Sequence, residues 1–190
     1  MAAPHARQGA SVRRGGLIVP VPEAEGLLQE WRARLGPTTE AGVPAHVTVL
    51  FPFLTLDQLD PAGLADLQAH FLATPSVEVT FPAVGLFPDV VYLAPEPRDW
   101  FVRCTAAISA RFGVLPYGGL HAEVVSHLTV ARHTDRAVLT DIAQQLTPLL
   151  PLTTHVREVW LMEELAAGGW SHTATFTLNT SGRARPDSQP

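Results

Sequence analysis

The sequence contains no lysine, one cysteine and no long apolar run. All 13 basic residues are therefore arginines, and 18 acidic residues leave a formal net charge of −5. Proteins that bind long nucleic acids usually present a broad basic surface, so this balance argues against that class of function. A local arginine can still bind a single phosphate, because the guanidinium group matches phosphate geometry.

The single cysteine excludes an internal disulfide. Cys104 shares helical spacing with Phe101 and Ile108, which predicts a small buried side chain rather than a reactive thiol. Residues 1–16 are polar and contain arginine, unlike a signal peptide, and no apolar stretch reaches the roughly 20 residues of a membrane helix. We therefore expect a cytoplasmic protein without a membrane partner.

The chain does contain the tetrapeptide His-x-Thr-x twice, at residues 46–49 (HVTV) and 127–130 (HLTV). Both copies lie in short apolar, β-branched runs, where residues two apart point to the same face of a strand. Each copy then places an imidazole beside a hydroxyl, with Val47 or Leu128 pointing into a core. One such tetrapeptide is more often structural than catalytic, since threonine is a common strand residue. Its repetition in similar contexts indicates an internal duplication.

These residue types fit acid–base chemistry on a phosphodiester. One of His46 and His127 can accept a proton while the other donates one, because imidazole titrates near neutral pH. The hydroxyls of Thr48 and Thr129 can hold the phosphate oxygens between them. Such a reaction needs no nucleophile from the protein, and the residues alone do not say which histidine acts as the base.

The length fits one domain, and the order of elements repeats within it. Each half has the pattern of a strand, a helix, a motif strand, a helix and paired strands. This predicts an α+β fold with two pseudo-symmetric lobes, each holding a mainly antiparallel sheet flanked by helices. The last strands are predicted over residues 152–165 and 170–178. We assign the single domain to residues 15–180, a disordered arm to 1–14 and a disordered tail to 181–190.

Four segments resemble those of a known family. Residues 42–53 and 126–132 are similar to the two motifs of the 2H phosphoesterase superfamily, and specifically of its 2′-5′ RNA ligase-like proteins. Residues 81–95 are similar to the hairpin between those motifs, and residues 169–178 to the end of the fold. The resemblance implies a bilobal 2H phosphoesterase-like fold, in which the motif strands meet across a central cleft.

The resemblance also implies an activity and a partner. It implies a cyclic phosphodiesterase or 2′-5′ RNA ligase-like enzyme in which His46 and His127 are catalytic and no cofactor is needed. Its partner would be a nucleotide or an RNA terminus carrying a cyclic phosphate, and we expect a monomer. Cyclic-phosphate RNA ends, cyclic nucleotides, ADP-ribose 1″,2″-cyclic phosphate and 2′-5′-linked oligomers all fit. The choice between hydrolysis and ligation stays open.

Four further side chains are site candidates. Arg132 is a phosphate ligand by the same resemblance, although strict alternation puts it on the opposite face from His127, so the strand must end or twist first. Phe51 and Phe53 are candidates to stack on a base, or else are core residues. Tyr117, in a glycine-rich loop, either caps the cleft or closes a turn.

Two other classes of protein compete with this interpretation. A metalloenzyme would need clustered ligands, and the sequence has no His-x-x-x-His, no cysteine pair and no acidic residue beside either motif histidine. We therefore expect no metal site. A non-catalytic module that binds a nucleotide or an RNA end would use the same cleft. Two histidines with two threonines favour catalysis, because arginine would serve simple phosphate binding.

Overall fold

The computed structural model describes residues 13–35, 41–120 and 124–180, so the predicted tail and almost all of the predicted arm lie outside it. Four α-helices and eight β-strands occur within these ranges. In chain order they are β1 (Gly15–Pro20), α1 (Glu23–Leu35), β2 (His46–Phe53), α2 (Pro61–Ala73), β3 (Val77–Leu86), β4 (Val90–Glu96), α3 (Arg98–Phe112), β5 (Leu128–Arg132), α4 (Arg136–Leu146), β6 (Leu152–Val156), β7 (Glu158–Glu164) and β8 (Trp170–Thr177).

Three helix boundaries follow from capping residues. The carboxylate of Asp60 accepts a hydrogen bond from the backbone N–H of Gly63 at the start of α2. Asp135 does the same for the N–H of Ala137 at the start of α4. Helix α3 ends at Gly113, whose φ of 66° lies in the left-handed region that favours glycine.

The eight strands form one sheet in the order β6-β3-β4-β5-β2-β1-β7-β8, and every neighbouring pair is antiparallel. The predicted α+β class with antiparallel strands is confirmed, with the difference that the two expected sheets are continuous. Their four-stranded halves join where β2 pairs with β5, at the single register pair Val47 and Leu128. The two motifs therefore lie side by side at the centre of the sheet.

The strand predicted over residues 152–165 is broken at Arg157. Its first part, β6, pairs with β3 at one edge of the sheet, whereas its second part, β7, pairs with β1 in the other half. Both parts have a strand pattern, and only their tertiary partners separate them. The chain therefore crosses between the two halves of the sheet at this point.

The helices and the core cover one face of the motif strands. Helices α1 and α4 pack against the β6-β3-β4-β5 half, α2 against β8, and α3 against β2. Cys104 on α3 is buried as predicted, and burial raises the pKa of its thiol to about 12, so the thiol stays protonated. No helix in the described parts of the chain is long and apolar enough to span a bilayer.

Candidate active site between the two motif strands

The pairing of β2 with β5 brings the two motifs together. The register of that pair sets His46 toward Thr129 and Thr48 toward His127. Each histidine therefore neighbours the threonine of the other motif, about a local two-fold axis. All four side chains are half-buried on one face, while the residues between them point into the core.

Each motif strand carries a β-bulge just after its threonine. The register of β2 against β1 and that of β5 against β4 both shift by one residue there. Two consecutive residues are buried in each strand as a result, namely Val49 with Leu50 and Val130 with Ala131. A bulge re-aims the side chains that follow it. Phe51 and Arg132, which strict alternation would send toward the core, are therefore turned back to the face of the motif histidines.

A cavity of about 340 Å³ opens over this face of the sheet. Seven of the eight predicted site residues line it, namely His46, Thr48, Phe51, Tyr117, His127, Thr129 and Arg132. Tyr117 lies in a turn over Pro116–Gly119, and its φ of 51° is unusual for a residue other than glycine. Tyr117 therefore takes part in a tight turn and its side chain also lines the cavity.

Phe53 is the predicted site residue that does not reach the cavity. Its side chain is 4% exposed, and its ring meets Phe112 edge-on with the centroids 5.3 Å apart. Phe112 belongs to α3, so this contact lies on the core side of the sheet. Phe53 packs the core, and the stacking assignment does not apply to it.

Both motif imidazoles are oriented by the same local hydrogen bond. Nδ1 of His46 lies 2.8 Å from the carbonyl oxygen of Pro44, and Nδ1 of His127 lies 2.7 Å from that of Val125. A carbonyl oxygen only accepts, so Nδ1 carries a proton in each ring. In each ring, Nε2 is therefore the nitrogen that can exchange a proton with a bound substrate.

The segment before His46 is held by helix α1. The carboxylate of Glu25 accepts a hydrogen bond of 2.5 Å from the backbone N–H of Ala45. Arg32 donates to the carbonyl oxygen of Val43 at 2.9 Å, and its guanidinium lies 3.4 Å from Glu25. These contacts fix the backbone that presents the Pro44 carbonyl, and through it the ring of His46.

Burial lowers the pKa of His46 to about 4, against the opposing effect of the hydrogen bond to Pro44. The charges of Arg32 and His127 lower this pKa further, and Glu25 raises it. A histidine with so low a pKa is neutral at neutral pH.

Because the pKa of His46 is low, we expect the folded protein to lose stability at acid pH. The unfolded chain binds more protons than the folded chain between about pH 6.5 and about pH 4, so stability falls as the pH falls through this window. We expect His46 to account for about 2 kcal/mol of stability lost between neutral pH and about pH 4.5. Urea unfolding of wild type and His46→Gln at both pH values measures it, with His155→Gln on the exposed β6 surface as the control. Equal losses in wild type and His46→Gln would contradict the prediction.

His127 is flanked by two aromatic rings. Phe87 and Tyr92 stack on each other with centroids 4.3 Å apart, and the centroid of the His127 ring lies 5.2 Å and 5.4 Å from theirs. Gly85 on β3 makes this arrangement possible, because a Cβ atom there would overlap the ring of Tyr92. The backbone hydrogen bond and the aromatic edges together hold the orientation of His127.

Three polar or aromatic residues line the cavity that sequence reasoning did not assign to the site, namely Arg14, Glu164 and Trp170. Arg14 donates two hydrogen bonds of 2.9 Å to the carboxylate of Glu164, and its guanidinium lies 5.3 Å from the centroid of the Phe51 ring. Trp170 meets Phe51 edge-on at 5.8 Å. Arg14 belongs to the predicted disordered arm, and its partner is 150 residues away along the chain, so no local pattern indicates the pair.

The possible metal ligands among the described residues are not arranged as a metal site. Among residues 13–35, 41–120 and 124–180, no group of three or more His, Cys, Asp or Glu side chains is placed to hold a metal ion.

Arg132, at the other end of the cavity from Arg14, is half-exposed and lies 3.8 Å from Asp89. Arg132 therefore places a guanidinium at the cavity rim, with its charge partly balanced by Asp89.

Solved structures share this fold. E. coli LigT complexed with 3′-AMP is 20% identical to the chain, with a TM-score of 0.58 over 87% of this chain and 98% of LigT. E. coli LigT complexed with NADP⁺ is 16% identical, with a TM-score of 0.60 over 90% and 100%. TT0787 of Thermus thermophilus is 20% identical, with a TM-score of 0.60 over 88% and 99%. At 16–20% sequence identity, this structural similarity establishes that the chain shares their fold.

Comparison with curated proteins finds no match. Comparison with family models finds one that covers residues 20–168, the model of the 2′-5′ RNA ligase superfamily. The resemblance to 2H phosphoesterases seen in the two motifs is thereby confirmed. Because the matched residues span well over half of the chain, the protein belongs to the 2′-5′ RNA ligase superfamily.

Proposed function

We propose that the protein is a metal-independent phosphodiesterase that uses two-histidine acid–base catalysis. Its substrate is a 2′,3′-cyclic phosphate or a 2′-5′ phosphodiester of an RNA end or a nucleotide. With a ribose 5′-hydroxyl in place of water as the nucleophile, the same groups join RNA ends through a 2′-5′ bond, as the 3′-oxygen of the cyclic phosphate leaves phosphorus and takes a proton. The observation that carries the proposal is the two-fold arrangement of two imidazoles and two hydroxyls around one cavity.

The arrangement suits in-line displacement at phosphorus. The attacking oxygen must lose a proton on one side of the phosphate while the departing oxygen gains one on the opposite side. His46 and His127 belong to neighbouring strands and sit about a local two-fold axis, so a phosphate on that axis has an imidazole on each side. Thr48 and Thr129 donate hydrogen bonds to the non-bridging oxygens as charge develops.

A nucleotide is the partner that the cavity favours. Its volume of about 340 Å³ lies in the range of small-molecule sites, and it combines aromatic walls with polar groups at the centre. The structural relative E. coli LigT was solved with 3′-AMP, NADP⁺ and ATP. Nucleotide binding by a protein of the same fold supports the same partner here.

A substrate panel tests the proposal. The protein is incubated with a cyclic-phosphate RNA end, a cyclic nucleotide, ADP-ribose 1″,2″-cyclic phosphate and a 2′-5′-linked oligomer, each followed by phosphorus NMR. We expect at least one to be converted to a phosphomonoester. A His46→Asn, His127→Asn double variant is the matched control. Tight binding without turnover of any of the four would indicate a non-catalytic nucleotide-binding module instead.

Chelators are expected to leave the activity unchanged. In the proposed reaction the histidines carry protons, so removal of metal ions removes nothing that the reaction uses. The measurement is the turnover rate before and after dialysis against EDTA, with elemental analysis of the dialysed protein. Stoichiometric bound zinc, or a lost rate that returns with added metal, would contradict metal independence.

A further inference from the structure

The turn from β1 into α1 replaces one hydrogen bond of the sheet next to His46. Val21 and Ala45 lie just beyond the last register pair of β1 and β2, and the N–H of Val21 donates to the carbonyl oxygen of Ala45 at 2.8 Å. In a regular antiparallel pair, the N–H of Ala45 would donate in return to the carbonyl oxygen of Val21. That oxygen instead accepts from the N–H of Ala24, in the first turn of α1, at 3.0 Å. The start of the helix therefore takes the partner that the N–H of Ala45 would have in a regular sheet.

The carboxylate of Glu25 replaces that partner. It accepts from the N–H of Ala45 at 2.5 Å, and because Ala45 is 1% exposed, loss of this bond would leave a buried donor unsatisfied. The carboxylate is itself held by Arg32 at 3.4 Å, and the guanidinium of Arg32 also donates to the carbonyl oxygen of Val43 at 2.9 Å. Glu25 and Arg32 thus bind the backbone on both sides of Pro44.

A single peptide group links Glu25 to the ring of His46. The N–H of Ala45 and the carbonyl oxygen of Pro44 belong to the same peptide group, which is planar, so they point in opposite directions. Glu25 binds the N–H, and Nδ1 of His46 donates to the carbonyl oxygen at 2.8 Å. Rotation of this plane would withdraw the carbonyl oxygen from Nδ1. The orientation of the plane therefore decides which nitrogen of His46 carries the proton.

We propose that Glu25 is a positioning residue of the reaction, which fixes this peptide plane and so keeps the proton of neutral His46 on Nδ1 and the reacting nitrogen Nε2 free of it. The inference rests on the proposed phosphodiesterase function, in which Nε2 of His46 exchanges a proton with the substrate. It does not depend on whether His46 gives or takes that proton, because the same nitrogen reacts in both cases.

Glu25 acts from outside the cavity that holds the motif histidines. His46 lines that cavity, whereas Glu25 and Pro44 line a second one, also of about 340 Å³, which contains neither motif histidine. A substrate between the histidines therefore does not touch Glu25, and a substitution there acts on the reaction through His46. We expect such a substitution to change kcat more than KM.

Glu25 also acts on His46 through its charge, and two substitutions separate charge from position. Burial is the main cause of the low pKa of His46, and among the charged groups near it Arg32 and His127 lower this pKa while Glu25 raises it. Gln in place of Glu25 removes the charge but keeps an oxygen that can accept from the N–H of Ala45. Ala in place of Glu25 removes both.

Nitrogen-15 NMR of the imidazole rings reads the tautomer of His46 directly, with His46→Gln to assign its signals. At neutral pH, wild type and Glu25→Gln are expected to carry the proton on Nδ1. Glu25→Ala is expected to show a substantial fraction with the proton on Nε2, which neutral histidine favours in water. Glu30→Ala is the matched control, because it removes an exposed carboxylate that pairs with Arg34 on the same helix.

Turnover of the substrates in the panel tests the consequence for the reaction. Glu25→Ala is expected to lower kcat by about 10- to 100-fold with little change in KM, as when a reacting group loses the partner that orients it. Glu25→Gln is expected to keep most of kcat, and Glu30→Ala all of it. Thermal melting shows whether each variant is folded. Glu25→Met, which keeps the length of the side chain without its oxygens, is measured in parallel in case Glu25→Ala does not fold.

The outcomes separate this inference from the proposed function. An active wild type, with an unchanged His46 tautomer and near-normal kcat in Glu25→Ala and Glu25→Met, would overturn the role of Glu25 and leave the phosphodiesterase function standing. Equal losses of kcat in Glu25→Ala and Glu25→Gln, with Nδ1 protonated in both, would also overturn it, because charge and not position would then be responsible. A wild type that turns over none of the panel would show that the proposed function is wrong, whereas the tautomer, read without substrate, still tests the link from Glu25 to His46.

Discussion

Replacement of His46 or His127 by alanine is expected to lower kcat by about 10²- to 10⁴-fold each, the usual contribution of one acid–base group. Each imidazole is needed in the same displacement, so neither loss is compensated by the other ring. The fold is expected to stay intact, because both side chains face the cavity while Val47 and Leu128 between the motif residues hold the core. The measurement is kcat together with thermal melting for each variant.

The control for this pair is His155→Ala. His155 is an exposed histidine on β6, outside the cavity, so its loss removes an imidazole without touching the proposed chemistry. The double variant is expected to be about as slow as the slower single variant, since groups that act as a unit are not additive. Near-normal activity of either single variant would show that the two-histidine mechanism is wrong.

The pH dependence of kcat/KM is expected to be bell-shaped. The proposed reaction requires one neutral and one protonated imidazole, so the active form carries one proton on the pair, and the two apparent pKa values belong to that pair. The acid limb is expected near pH 4, well below the ordinary range of histidine, because burial lowers the pKa of His46. Below it, kcat/KM falls about tenfold per pH unit.

The variants check which limb belongs to which ring. In His46→Ala the acid limb of the residual activity is expected to disappear, and in His127→Ala the alkaline limb. A profile that keeps rising into the alkaline range would point to hydroxide or tyrosinate as the attacking species or its base. The paired-histidine assignment would then be abandoned.

The two histidines and two threonines of the site could be predicted from sequence, because each pair lies within one tetrapeptide. A His-x-Thr-x tetrapeptide in a strand puts both side chains on one face, and two copies indicate one shared site. The structure adds only that each histidine faces the threonine of the other motif, which depends on the antiparallel register of β2 and β5.

Phe51 and Arg132 show where local rules stop. Strict alternation would aim both side chains away from the histidines, and the bulges that turn them back depend on how β1 and β4 pair with the motif strands. Phe51 and Phe53 have the same chemistry in sequence, yet one lines the cavity and the other packs on Phe112. Only tertiary neighbours distinguish them.

Two features near the ends of predicted elements depend on long-range contacts and could not be predicted from the sequence. Arg14 has no periodic or turn signal, and its hydrogen-bond partner Glu164 is 150 residues away along the chain. Residues 152–165 have one continuous strand pattern, and the break at Arg157 arises because each part pairs with a different half of the sheet. Contacts of this range carry no local signature.

The stereochemistry at phosphorus tests the central claim most directly. One diastereomer of a nucleoside 2′,3′-cyclic phosphorothioate is opened by the enzyme in water enriched in oxygen-18, and the configuration of the product is determined by phosphorus NMR. Two histidines on opposite sides of the phosphate, with water as the only nucleophile, predict inversion. Retention would require two displacements through a protein-bound phosphoryl group and would contradict the mechanism.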